Sequence, residues 1–106
     1  MAHYIASKAG AIGFTRGLAT DVGIHGITAN AIAPGPVATD QLKVAYARDF
    51  GGGDASGFED FMTGMAQMQS VKRYARPEDV TGLVAFLASD GAAMITGQTV
   101  VCDGGW

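Results

Sequence analysis

Tyr4 and Lys8 stand four positions apart in the stretch HYIASKAG, a phenol and an ammonium among small and apolar neighbours. On a helix, positions i and i+4 face the same way, so the two groups can meet beside one ligand. A free phenol has a pKa of about 10 and exchanges protons poorly at neutral pH. A neighbouring ammonium favours the phenolate and lowers that value. Such a pair suits proton exchange with a carbonyl oxygen that becomes an alkoxide. A half-buried tyrosine beside a snorkelling lysine uses the same spacing without any chemistry. Tyr-x-x-x-Lys alone does not choose between these readings.

The pair needs a helix, and the sequence predicts one over His3–Val22 with only three charged residues, Lys8, Arg16 and Asp21. Tyr4, Ala11, Leu18 and Val22 share one side of it, and Ala6, Gly10, Gly13 and Gly17 another. A helix without a wide polar face is expected to be buried or sandwiched. The glycines point to close approach of another backbone. Ile27–Ala33 then reads as a short strand covered on both faces, stopped by Pro34-Gly35-Pro36.

Between about Thr39 and Arg76 the pattern loosens, with the triple glycine of DFGGGDASG expected to act as a flexible joint. Phe58, Phe61, Met62, Met65 and Met68 fall on one helical stripe, suited to core packing or to an apolar lid. RPEDVTGLVAFLASD predicts a further helix, with Pro77 at its first position and Glu78 and Asp79 set against the dipole. Gln98–Cys102 reads as a second buried strand. Two such strands joined through a helix imply an α/β parallel pair. Alone they would leave unpaired edges, so the expected setting is a larger α/β domain with strands on the N-terminal side.

Composition narrows the function. At 106 residues, 48% apolar, 16% charged and net charge −3, the chain reads as one globular unit with no basic field for nucleic acid or anionic lipid. No apolar run reaches membrane-spanning length, no signal-peptide pattern opens the chain, and the lone Cys102 fits a reducing compartment. A cytoplasmic protein is expected. His3 has no nucleophile or metal-ligating partner, and no metal site is expected.

Four stretches in order, YIASKAG, GITANAIAPGPVATD, RPEDVTGLVAFLAS and ITGQTVVCDGG, resemble the short-chain dehydrogenase/reductase family almost end to end. The family's domain is more than twice as long, so the resemblance implies that residues 1–106 are the C-terminal part of a Rossmann-like, doubly wound parallel sheet. It implies hydride transfer between NAD or NADP and a small alcohol or carbonyl substrate of apolar character, 3-oxoacyl thioesters being one candidate. Tyr4 becomes the catalytic acid/base and Lys8 its partner and a ribose ligand. Pro34, Gly35 and Val37 become the loop that closes on the nicotinamide, with the Val37 backbone and the Thr39 hydroxyl on its carboxamide. Thr39 also reads as the N-cap of a following helix. Residues of about 40–75 fall in the family's variable substrate segment, and a homo-oligomer is implied through the first helix.

The family's Gly-rich dinucleotide turn, catalytic serine and helix asparagine lie upstream of the matched motifs. Ser7 and Asn30 do not replace them: Ser7 falls inside the Tyr–Lys interval, and Asn30 suits a bridge between loops. The rival expectation is a truncated, non-catalytic product that associates with related subunits.

Overall fold

The computed structural model covers all 106 residues. Helix α1 runs Ala2–Val22, one residue earlier than the pattern predicts, and a single 3-10 turn, Gly23–His25, follows it. Gly26 then reverses the chain at φ 71°, a left-handed conformation that suits glycine. Strand β1 is Ala31–Pro34, α2 Asp40–Asp49, α3 Phe58–Ala66, α4 Pro77–Leu87 and β2 Thr99–Cys102. The two strands pair directly. Ala31 N–H donates to Gln98 O at 2.8 Å and Gly35 N–H to Cys102 O at 3.1 Å, so partners advance together and the strands are parallel.

β1 begins four residues later than expected, for a reason seen in its hydrogen bonds. Ala29 N–H donates to the Thr96 hydroxyl at 3.1 Å. The Asn30 side-chain amide donates to Ile95 O at 2.8 Å and accepts from Gln98 N–H at 3.1 Å. Side chains thus replace the ladder where Ile27–Ala33 predicted a continuous strand. Asn30 bridges a loop, as its position suggested.

The chain divides into two compact units, one of Met1–Ala33 with Leu83–Val101, the other of Pro34–Gly82 with Cys102–Trp106. In the first, α1 turns Ile12, Thr15, Ala19 and Val22 inward, and Ala19 alone among α1 residues is buried. This is not the glycine side, and it shares only Val22 with the Tyr4–Leu18 side that the helical wheel distinguished. Phe14, Leu18 and Tyr4 stay exposed, and added methyl groups at Gly10, Gly13 or Gly17 would meet open space. The expectation of a buried or sandwiched helix is therefore not met within this chain. Nor are the strands covered on both faces: β1 is half-buried to exposed, and Val101 of β2 is exposed.

In the second unit the core is α3. Met62 is fully buried and Ala66 nearly so, while Met68 lies beyond the helix end and is exposed. The methionine stripe therefore breaks up, because the helix stops at Ala66. Tyr46 of α2 and Phe50 just past its end complete an aromatic cluster with Phe58 and Phe61, their centroids 5.0–6.3 Å apart. The triple glycine joining the two helices is a hydrogen-bonded turn rather than a flexible joint. Gly51 N–H donates to Tyr46 O, Gly53 N–H to Ala47 O and Asp54 N–H to Gly51 O, at 2.8–3.0 Å. At Gly51 a Cβ would collide with the backbone carbonyl of Asp54, so the turn requires glycine there.

Candidate active site

In the first unit, α1 carries Tyr4 and Lys8 on one face, as the spacing predicts. The Lys8 ammonium lies 5.4 Å from the centroid of the Tyr4 ring, and both side chains are exposed. Ser7 is turned to other work: its hydroxyl donates to Tyr4 O at 2.8 Å, the local back-bond open to serine in a helix. His3 is exposed. No group of three or more His, Cys, Asp or Glu side chains converges as a metal site would require.

In the second unit, Pro34 ends β1, Gly35 and Val37 lie in the loop that follows it, and Thr39 closes the loop at the start of α2. Gly35 packs against the chain's last turn. A Cβ at this position would lie 2.9 Å from Asp103 Cα and Cβ, so glycine is what lets the two backbones approach. Val37 forms a parallel bridge with Ala75, in which Ala38 N–H donates to Ala75 O at 2.9 Å. In a parallel bridge of this register the residues flanking Val37 make the bonds. The N–H and C=O of Val37 itself are left free of the ladder.

Thr39 is the N-cap of α2, its hydroxyl oxygen accepting from Leu42 N–H at 3.2 Å. A hydroxyl has two lone pairs and one proton, so this cap leaves its O–H available to a ligand. The two readings of Thr39 are compatible.

Sequence reasoning missed the residues that hold this loop. Ala75 lies in the stretch where the pattern loosens, and Asp103 just past the second strand. Neither carries a chemical signal, since each acts through its backbone. Asp79 is different. It accepts from both terminal guanidinium nitrogens of Arg73, Nη1 and Nη2, at 2.7 Å and from Arg76 N–H at 2.9 Å. The Arg73 guanidinium first, then the Arg76 N–H, hold its carboxyl well below the usual carboxylate range. Its place in the first turn of α4 was legible as dipole compensation, but the reach back to Arg76 N–H, half of a capping box, was not.

A family model described as enoyl-(acyl carrier protein) reductase matches residues 1–106. A 3-oxoacyl-(acyl-carrier-protein) reductase of Synechocystis is 41% identical over 105 residues, which is 98% of this chain and 36% of that protein. Among solved structures, a blue fluorescent protein from a metagenomic library in complex with NADPH is 37% identical with a TM-score of 0.75. It matches 96% of this chain and 36% of its own. A 4-hydroxyisoleucine dehydrogenase complexed with NADH is 31% identical with a TM-score of 0.71, over 99% of this chain and 38% of its own. The chain thus spans well under half the length of the relatives it matches. The pairing of β1 with β2, the Tyr-x-x-x-Lys helix and these matches agree: the chain belongs to the short-chain dehydrogenase/reductase family, aligned to the C-terminal portion of its Rossmann-type domain.

Proposed function

We propose that the protein carrying this chain transfers a hydride between a nicotinamide dinucleotide and an alcohol or ketone of apolar character, with 3-oxoacyl thioesters as the leading class. The observation that carries this reading is the Tyr4–Lys8 pair, phenol and ammonium held together on one helix face. Residues 1–106 are taken as the C-terminal part of the domain. The relatives described with NADPH and with NADH support either cofactor, NAD or NADP.

The residues of the loop fit a carboxamide. That group presents one acceptor oxygen and two N–H donors, and the free N–H and C=O of Val37 offer the complementary pair, with the Thr39 O–H beside them. Pro34 and Gly35 fix the approach of this loop, Pro34 through its set φ and Gly35 through its contact with Asp103. When bound, the nicotinamide supplies or accepts the hydride. Tyr4 Oη gives a proton to the substrate oxygen in reduction and takes it back in oxidation. The Lys8 ammonium stabilises the phenolate left after proton donation and hydrogen-bonds the nicotinamide ribose.

The aromatic hairpin of α2 and α3, within residues 40–75, forms the substrate wall. The protein is proposed to work in the cytoplasm and as a homo-oligomer. No helix is long and apolar enough to cross a membrane. A second reading is favoured by the exposed faces of α1: the chain by itself is a non-catalytic fragment that associates with related subunits.

Consumption of NADH or NADPH by the product of the complete reading frame, offered acetoacetyl thioesters and short ketones, tests the first reading. Loss of the reduced-nicotinamide absorbance in step with ketone reduction is expected. A protein that binds neither cofactor and oligomerises normally would favour the second.

A further inference from the structure

Ser70–Arg76 runs as a strap across the second unit and joins four parts of it. Ser70 N–H and Val71 N–H donate to Gly105 O and Gly104 O at 3.1 and 2.9 Å. Arg73 pairs with Asp79 of α4. Ala75 O receives Ala38 N–H, the bond that flanks the free Val37 backbone. Tyr74 reaches α3, its hydroxyl donating to the Glu59 carboxylate at 2.8 Å. The Arg76 guanidinium lies 5.9 Å from the centroid of the Tyr74 ring, which helps to hold that ring's orientation. Thr39, Lys43, Phe58, Glu59, Met62 and Tyr74 line one groove, so this bond spans from α3 to the strap beside Thr39.

From this arrangement we infer that Tyr74 is a positioning residue that couples substrate binding at α3 to nicotinamide binding at Val37. The inference rests on the hydride-transfer reading above. Its physical basis is adjacency. A substrate that shifts α3 pulls on Glu59, Glu59 on the Tyr74 hydroxyl, and the next residue, Ala75, carries the carbonyl that fixes Ala38. The bond is exposed to solvent, but its charged acceptor makes it stronger than one between neutral groups. By linkage, whatever tightens the cofactor when substrate is bound must tighten substrate equally when the cofactor is bound.

The test is equilibrium binding to the product of the complete reading frame, with NADP+ or NAD+ titrated alone and beside an acetoacetyl thioester. Both partners are then oxidised and no turnover intervenes. In the parent, the thioester is expected to tighten the cofactor about fivefold or more, within the usual range of coupling. In Tyr74→Phe, cofactor affinity alone should stay within about twofold of the parent, while the tightening falls to near unity. Glu59→Gln keeps an acceptor for the hydroxyl and should retain most of the coupling, whereas Glu59→Ala should lose it. Thermal melts of all variants check that each is folded. Equal coupling in Tyr74→Phe and parent, or none in a parent that binds cofactor, overturns the inference and leaves the hydride-transfer reading standing. A parent that binds neither cofactor overturns both.

Discussion

At Thr39 a single hydroxyl can serve helix and ligand together, and substitution can separate the two. Thr39→Ala removes the cap of α2 and should cost about 1 kcal/mol of stability along with cofactor affinity. Thr39→Asp restores a capping oxygen but brings no hydroxyl proton. Stability should return in thermal melts while nicotinamide affinity, by calorimetric titration, stays reduced. Recovery of both would show that the cap is all Thr39 contributes. Gly35 permits a sterner substitution. Gly35→Ala places a methyl 2.9 Å from Asp103 Cα, where backbone must move, and about 1–3 kcal/mol of destabilisation is expected. Tyr4 and Lys8 were legible as a possible pair from their types and spacing, whereas the cofactor roles of Pro34, Gly35, Val37 and Thr39 came only from the family resemblance. Tyr74 and Ala75 were not legible, since a lone tyrosine and an alanine in an irregular stretch announce no partner until the backbone brings one.

Among the elements, α3 holds the second unit together through Met62. Met62→Ala should cost about 2–5 kcal/mol, while Met68→Ala, at an exposed position past the helix end, should stay within about 0.5 kcal/mol. The helical stripe suggested equal roles for these residues, because periodicity continues through Met68 whereas the hydrogen-bonded helix does not. At the start of α4, Asp79 sets an acid sensitivity. Its folded pKa lies below the unfolded value of about 4, so its contribution is fully present above that value and is lost as pH falls below it. Asp79→Asn should therefore melt below the parent near pH 7, with the gap closing toward pH 2. A gap independent of pH would assign the effect to packing. Helices α1 and α4 were legible almost to their ends, whereas β1 was not: at Ile27–Asn30 the Thr96 and Asn30 side chains take the bonds a ladder would have used.

For the whole molecule, α1 decides the behaviour of the chain by itself. Its Tyr4–Leu18 side and its glycine side are both open, and β1 and β2 pair with no third strand. An unpaired strand edge and exposed apolar faces favour association. Sedimentation of the isolated 106 residues should show self-association, and titration with NADH or NADPH no binding at micromolar concentration. A well-behaved monomer binding either cofactor would contradict this. The sequence already implied an incomplete sheet, because two buried-strand patterns cannot supply both neighbours of either strand. Which face of α1 turns inward was hidden, since Thr15 interrupts Ile12, Ala19 and Val22 and the Tyr4–Leu18 side is about as apolar. The proposed chemistry itself is tested most directly by isotope transfer. The product of the complete reading frame, given NADH or NADPH deuterated at C4 and an acetoacetyl thioester, should place deuterium on the carbinol carbon of the product. Tyr4→Phe should slow that transfer at least about 100-fold while cofactor affinity holds. Product without deuterium, or transfer at the parent's rate in Tyr4→Phe, would contradict the account.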